Sequence, residues 1–184
     1  MTLGDAAFRS VLAAAKSGAD WAWSNLFRDL FGPVTGYLAS RGASEPEDTA
    51  SEVFLKVASN IHDFEGDEAS FRSWVFVIAH RSLIDDRRHR SRRPDLASAL
   101  PDTASEGGNV EDEAVDSLVT AELLEAFELL TDTQRDVLAL RIVAGLSVDQ
   151  TAQVLGKRTG AVKALQHRAL ASLRRELDLS DVSK

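Results

Sequence analysis

Residues Leu130 to Arg175 read LTDTQRDVLALRIVAGLSVDQTAQVLGKRTGAVKALQHRALASLRR, and this stretch decides the fold. Thr131 and Gln134 stand at capping-box spacing, and Val137, Leu138, Leu140 and Ile142 follow in a helical pattern that Gly145 ends. Ser147 and Gln150 make a second capping box, after which Val148, Ala152 and Leu155 fall on one helical face. Gly156 closes this helix of about two and a half turns. Thr159 is placed to cap a third helix, and Val162, Leu165, Ala169 and Leu173 give that helix a stripe to bury. Two short capped helices meeting at a glycine turn make a helix-turn-helix.

The face left over carries the chemistry. Arg158, Thr159, Gly160, Lys163 and His167 cluster on the outer side at the start of the third helix, where such motifs place the side chains that read bases in the major groove. Gly160 and Ala164 are small, so backbone can come close to the bases. Arg168, with Arg174 and Arg175 further along, suits phosphate contacts, which position a protein without reading sequence. A lone basic helix is usually a solvated face. Here the caps, the turn glycine and the small residues agree on DNA binding.

The whole chain has 184 residues, with 44% hydrophobic content, three Trp and eight Phe, enough for one or two small folded domains. It has no cysteine, which excludes disulfide scaffolds, Cys-ligated zinc and thiol catalysis. No run approaches the roughly 20 apolar residues of a membrane span. The start of the chain, with Asp5 and only the short apolar run Val11 to Ala15, lacks the pattern of a secretory signal. A cytoplasmic protein without membrane insertion is therefore expected.

The net charge of −8 is unevenly spread. Residues 1–93 hold 12 Lys and Arg against 13 Asp and Glu; residues 94–130 hold none against 10; residues 131–184 hold nine against six. The acidity sits in the middle, and the helix-turn-helix end is basic.

Before that middle, a short helix is expected around Phe8 to Lys16, then a longer one through Trp23, Leu26, Phe27, Leu30, Phe31, Val34, Tyr37 and Leu38, kinked or interrupted near Gly32-Pro33. Pro46 sits where a first helical residue should, Glu47 and Asp48 fill the first turn, and Ala50, Val53, Phe54, Val57 and Ala58 follow at helical spacing, leaving Asp48 and Glu52 on the opposite face. After a break around Gly66, with Ser70 as the expected cap, Phe71 to Arg90 has the composition of a helix of about 30 Å. Its body is apolar and its end carries Arg87, Arg88, Arg90, Arg92 and Arg93. Residues 94–117, with Pro94, Pro101, Gly107-Gly108 and many acids, read as a flexible acidic linker, because too little apolar surface is present to offset ordering entropy. Helical pattern resumes at Leu118, Val119, Leu123, Leu124, Phe127 and Leu130. No strand alternation occurs, and the fold class is all-α: two small helical domains, 1–93 and 118–184, joined by the linker.

Both halves, in this order, resemble an RNA polymerase sigma factor of the extracytoplasmic-function type, within the sigma-70 family. EDTASEVFLKV, Glu47 to Val57, is similar to the helix of sigma region 2 that binds the beta-prime clamp helices of RNA polymerase core, which implies polymerase contacts at Glu47, Asp48, Glu52 and Phe54. FEGDEASFRSWVFVIAHRSLIDDRRHR, Phe64 to Arg90, is similar to the loop and helix that read and melt the −10 promoter element. The implied contacts are Phe64, Gly66, Asp67, Phe71, Trp74, Arg81, Arg87, Arg88 and Arg90: rings to hold unstacked bases and cations to hold backbone. Asp48 and Glu52 are also the residue types of an ordinary solvated face, and Trp74 with Val75 to Ile78 those of a core. The helix-turn-helix resembles sigma region 4, which reads the −35 element, some 17 base pairs away. Thr49, Ser51 and Arg81 depart from the family's usual residues, and Arg81 bears on −10 base preference. An anti-sigma protein is a further partner the resemblance implies.

A transcription regulator of response-regulator type shares the helix-turn-helix pattern, but it would place alternating strands and a phosphoacceptor Asp before it. An enzyme would recruit His80, Asp85 and Asp86, or His62 and Asp63, yet no second cluster at ligand spacing accompanies them, so no catalytic residue, metal or cofactor is expected.

Overall fold

The computed structural model describes residues 5–91, 127 and 129–182, with side chains over 6–89, 127 and 129–176. The acidic linker at 94–117, the helical pattern from Leu118 to Leu124, and the side chains of Arg90, Arg92 and Arg93 lie outside the described residues. Among those described there is no strand, and the fold is all-α. The first half comprises α1 (Asp5–Lys16), α2 (Asp20–Ser40), α3 (Pro46–Asn60), a single 3₁₀ turn (Ile61–Asp63) and α4 (Glu68–Ser91); the second comprises α5 (Asp132–Leu138), α6 (Val148–Leu155) and α7 (Thr159–Val182).

Local signals set most boundaries. Pro46 is the first residue of α3, where its missing amide costs nothing. The two capping boxes form as spaced: the Thr131 and Ser147 hydroxyls accept the amides of Gln134 and Gln150, whose side-chain carbonyls accept the cap amides at 2.9 and 2.7 Å. Gly156 ends α6 at φ +60°, a left-handed conformation that favours glycine.

Of the kink or interruption expected near Gly32-Pro33, no interruption occurs; α2 runs through Pro33, because Leu26, Leu30, Val34, Tyr37 and Leu38 are buried on both sides of it and packing outweighs the lost hydrogen bond. Three other local expectations are overturned. Asp67, not Ser70, caps α4, accepting the Ser70 amide at 2.8 Å. Thr159 does not cap α7; the Arg158 carbonyl accepts the Ala161 and Val162 amides, and the Thr159 hydroxyl donates to Asp149 Oδ1 at 3.0 Å. Finally, α5 widens into a π-helical turn over Ala139–Val143, which turns Ile142 out to 67% exposure instead of into the core.

The two halves pack against one another. Ala139, Leu140, Ala144, Leu146 and Val154 belong to the same buried cluster as Phe8, Tyr37, Phe76 and Leu83 of the first half. Gly36 on α2 permits the approach, since a Cβ there would lie 3.1 Å from Val143 Cγ1. The second half has its own small cores: Val137, Ala152 and Val162 pin the helix-turn-helix, and Leu130, Leu138, Ala169 and Leu173 bind α7 to α5.

Candidate nucleic-acid interface

The outer face of α7 is open. Arg158, Gly160, Lys163, Ala164, His167 and Arg168 are exposed while Val162, Ala169 and Leu173 are buried, which is the division that the sequence spacing predicts. Thr159 is half-buried and engaged with Asp149. Arg174 and Arg175 are exposed one to two turns further on. The helix is held at a fixed angle from behind: Arg141 donates from Nε to Gln166 Oε1 at 3.2 Å and from Nη1 to the Leu146 carbonyl, tying the turn to α7. A rigid helix with four exposed cations or imidazole groups and two small residues facing out suits a nucleic-acid groove.

A second open surface lies on the first half. The loop between α3 and α4 and the flanks of both helices enclose a cavity of about 650 Å³. Phe64, Trp74 and Ile78 give it an apolar wall; Lys56 and Arg81 bring positive charge, and Asp63, Glu65 and Asp85 bring negative charge. Its geometry is braced. Lys16 Nζ, reaching from α1, donates to the Phe64 carbonyl at 2.7 Å and the His62 carbonyl at 3.1 Å, and Lys56 Nζ donates to the Ser82 hydroxyl at 2.9 Å. Phe64 stacks on Trp74 with centroids 5.1 Å apart. The sequence gives Lys16 and Lys56 no role at this cavity, because their partners lie 48 and 26 residues away.

Several residues assigned from sequence to the −10 contact do other work here. Phe71 is 1% exposed and packs between Phe8 and Phe64 at 5.6 and 5.2 Å, so it is core. Gly66 lets the loop ride over its neighbours: a Cβ would stand 3.0 Å from both Phe64 Cζ and Ser70 Cβ. The Ser70 hydroxyl and amide hold the Asp67 carboxyl below its ordinary range, as its capping role requires. Arg87 turns inward, donating to the Arg41 carbonyl at 2.6 Å. Arg81 and Arg88 are exposed, Arg88 lying 3.8 Å from Asp85.

On α3, Glu47, Asp48 and Glu52 are exposed, but Phe54 is 7% exposed and its ring contacts Phe27 and Phe31 at 4.9 and 6.0 Å, so it supports the face from beneath. Leu55, unremarked in the sequence, stands 68% exposed beside the acids. Among the described residues no three His, Asp or Glu side chains gather as a metal site would need, and no helix is long and apolar enough to cross a membrane.

Residues 26–93 match the family described as Sigma-70 region 2, and residues 126–175 match Sigma-70, region 4. The chain is 34% identical over 167 residues to the ECF RNA polymerase sigma factor BldN of Streptomyces coelicolor, spanning 89% of this chain and 63% of that one. It is 30% identical over 155 residues to the ECF RNA polymerase sigma factor SigK of Mycobacterium tuberculosis, spanning 82% and 81% of the two chains. Its fold superposes with a TM-score of 0.66 on the sigma factor RpoE of Bartonella quintana, solved in complex with the anti-sigma factor NepR, at 18% identity over 84% of this chain and 96% of that one. With a helix-turn-helix behind one open face, a braced aromatic cavity behind the other, and relatives matched across both halves, this chain belongs to the extracytoplasmic-function RNA polymerase sigma factors.

Proposed function

We propose that the chain binds RNA polymerase core and directs it to promoters by reading two elements, one with each half. The observation that carries this reading is the exposure pattern of α7, which leaves Arg158, Gly160, Lys163, Ala164 and His167 together on one unobstructed face while the opposite stripe is buried. Such a face reads a −35 element in the major groove, with arginine and lysine donating to guanine acceptors and Arg168 taking phosphate. The cavity beside Trp74 and Arg81 takes the −10 element. It has an apolar wall to stack on a base turned out of the duplex, and charged groups of both signs to meet that base's donors and acceptors. The exposed face of α3, with Asp48, Glu52 and Leu55, docks on the beta-prime clamp helices.

The role is one of binding, not of catalysis, and its place is the cytoplasm, where polymerase and promoters meet. An anti-sigma protein is the expected regulatory partner, in keeping with the RpoE complex. The test is run-off transcription by purified core on a genomic fragment library, with and without this chain. Discrete new start sites are expected only when the chain is present, and their upstream sequences should share two spaced elements. Unchanged transcripts would refute the reading.

A further inference from the structure

The cavity between α3 and α4 is shaped by a helix that does not line it. Lys16 closes the last turn of α1. A lysine there is ordinarily explained by the helix dipole, which a cation at that end offsets. This one reaches further: its Nζ donates to the carbonyls of His62 and Phe64, at 3.1 and 2.7 Å, which lie 46 and 48 residues along the chain. Both carbonyls belong to the segment that joins α3 to α4 and carries Asp63, Phe64 and Glu65 into the cavity wall. Lys16 is not itself one of the lining residues, so it acts on the cavity through that segment.

Other contacts fix where Lys16 stands. Trp23 Nε1 of α2 donates to the Ala15 carbonyl at 3.1 Å and ties down the end of α1. Phe8, earlier in α1, is fully buried and packs on Phe71 at 5.6 Å, and Phe71 in turn meets Phe64 and Trp74 at 5.2 and 5.7 Å. Helix α1 thus reaches the aromatic wall twice, from behind through Phe8 and Phe71 and at the loop through Lys16. The far end of the loop is set separately, by the Asp67 cap and by Gly66, where a Cβ would crowd Phe64 and Ser70. The stretch between is gripped at the carbonyl of the very residue whose ring forms the wall. An ammonium donating to a carbonyl makes a charge-assisted hydrogen bond, roughly twice as strong as a neutral one. Asp63, Glu65 and Asp85 face Lys56 and Arg81 across the cavity, so the Lys16 ammonium just outside also levels the local charge for an approaching polyanion.

We propose that Lys16 is a positioning residue for the −10 element: by gripping the loop at His62 and Phe64 it holds the Phe64 ring against Trp74, and so sets how tightly the cavity takes a base turned out of the duplex. This rests on the reading of the cavity given above. A wall already in place spares the captured base the entropic cost of ordering the loop. Because α1 precedes residues 26–93, the brace comes from outside the region 2 match.

The first readout needs neither DNA nor polymerase. Chymotrypsin cuts after Phe, and the bond following Phe64 is open to it only when the loop leaves its anchor, so the cutting rate in the native full-length chain reports that open population. In Lys16→Ala, a substitution that suits a helix, cutting between residues 64 and 65 should be at least fivefold faster than in the parent by mass spectrometry. Cutting after the exposed Leu129 should not change, and far-UV circular dichroism should stay helical. Lys16→Arg, which keeps the charge and the donors, should cut at a rate within twofold of the parent. Equal rates at this bond in Lys16→Ala and the parent would overturn the brace.

The second readout uses the full chain with core polymerase and single-stranded DNA carrying the non-template −10 sequence of a promoter found by run-off transcription, each base in turn made abasic. In the parent, loss of the captured base should weaken binding at least fivefold by fluorescence anisotropy. In Lys16→Ala that penalty should fall below twofold while the penalties at other positions stay, a pattern that a general loss of fold does not produce. The same penalty in both chains would overturn the positioning role. If no position carries a penalty in the parent, the reading of the cavity as a base pocket fails, and the cutting rates still decide whether Lys16 holds the loop.

Discussion

Leu55 offers the sharpest test of the polymerase face. On α3 the residues Asp48, Glu52 and Leu55 fall four and three positions apart, so they share one face, and all three are exposed. Leu→Ala removes three carbons, worth about 2.4 kcal/mol at about 0.8 kcal/mol per buried methylene. Because Leu55 is 68% exposed in the free chain, about two thirds of that is available to a partner that covers it. Leu55→Ala should therefore cost about 1.6 kcal/mol of binding, a rise in Kd of about fifteenfold. The remaining third, about 0.8 kcal/mol, is the upper bound on lost fold stability, so the variant stays folded. The assay is fluorescence anisotropy of labelled chain titrated with core polymerase near physiological salt, with binding to −35 duplex DNA as the control that should not change. The charge reversal Asp48→Arg/Glu52→Arg should also weaken core binding, and its effect should shrink as salt rises, whereas the Leu55→Ala effect should not. A Kd for Leu55→Ala within twofold of the parent would refute the assignment of this face.

Two further expectations concern the DNA face and the join. Arg158→Ala or Lys163→Ala should each cost about 1 to 3 kcal/mol and relax preference at particular upstream positions, while Arg174→Ala should weaken all sequences evenly; promoter-library selection distinguishes the patterns, and an even loss from Arg158→Ala would make it a phosphate contact. Burial holds His80 below its ordinary pKa, so it is neutral at pH 7 among Tyr37 and Arg41 of the α2 end, Arg87 of α4 and Asp136 of α5. The unfolded chain takes up that proton more readily, so this contribution is full above about pH 6.5 and is lost as pH falls through the folded value. The drop in thermal midpoint between pH 7.5 and pH 5 should be smaller in His80→Gln than in the parent, and equal drops would refute the role of His80.

The sequence by itself determined the caps of the two short helices of the second half and which residues of α7 lie on its open face. Those features depend on caps, glycine stops and residues three or four apart, and such interactions are complete within one or two turns of chain. The same local information gave the family, since the matched motifs are contiguous. What failed were features in which tertiary packing overrides a local rule. Pro33 is expected to kink or interrupt α2, but buried residues on both sides carry the helix through it; Phe54 and Phe71 sit in motifs that the resemblance assigns to contacts, but their rings complete a core. Only the tertiary structure decided that the halves join, and what they join through. Arg41 is an unremarkable cation in the sequence, and its meaning depends on Asp136, 95 residues away, arriving at 2.7 Å in a site too dry for either charge to stand alone. Pairing of that kind is set by how two folded surfaces fit, and no local periodicity encodes it.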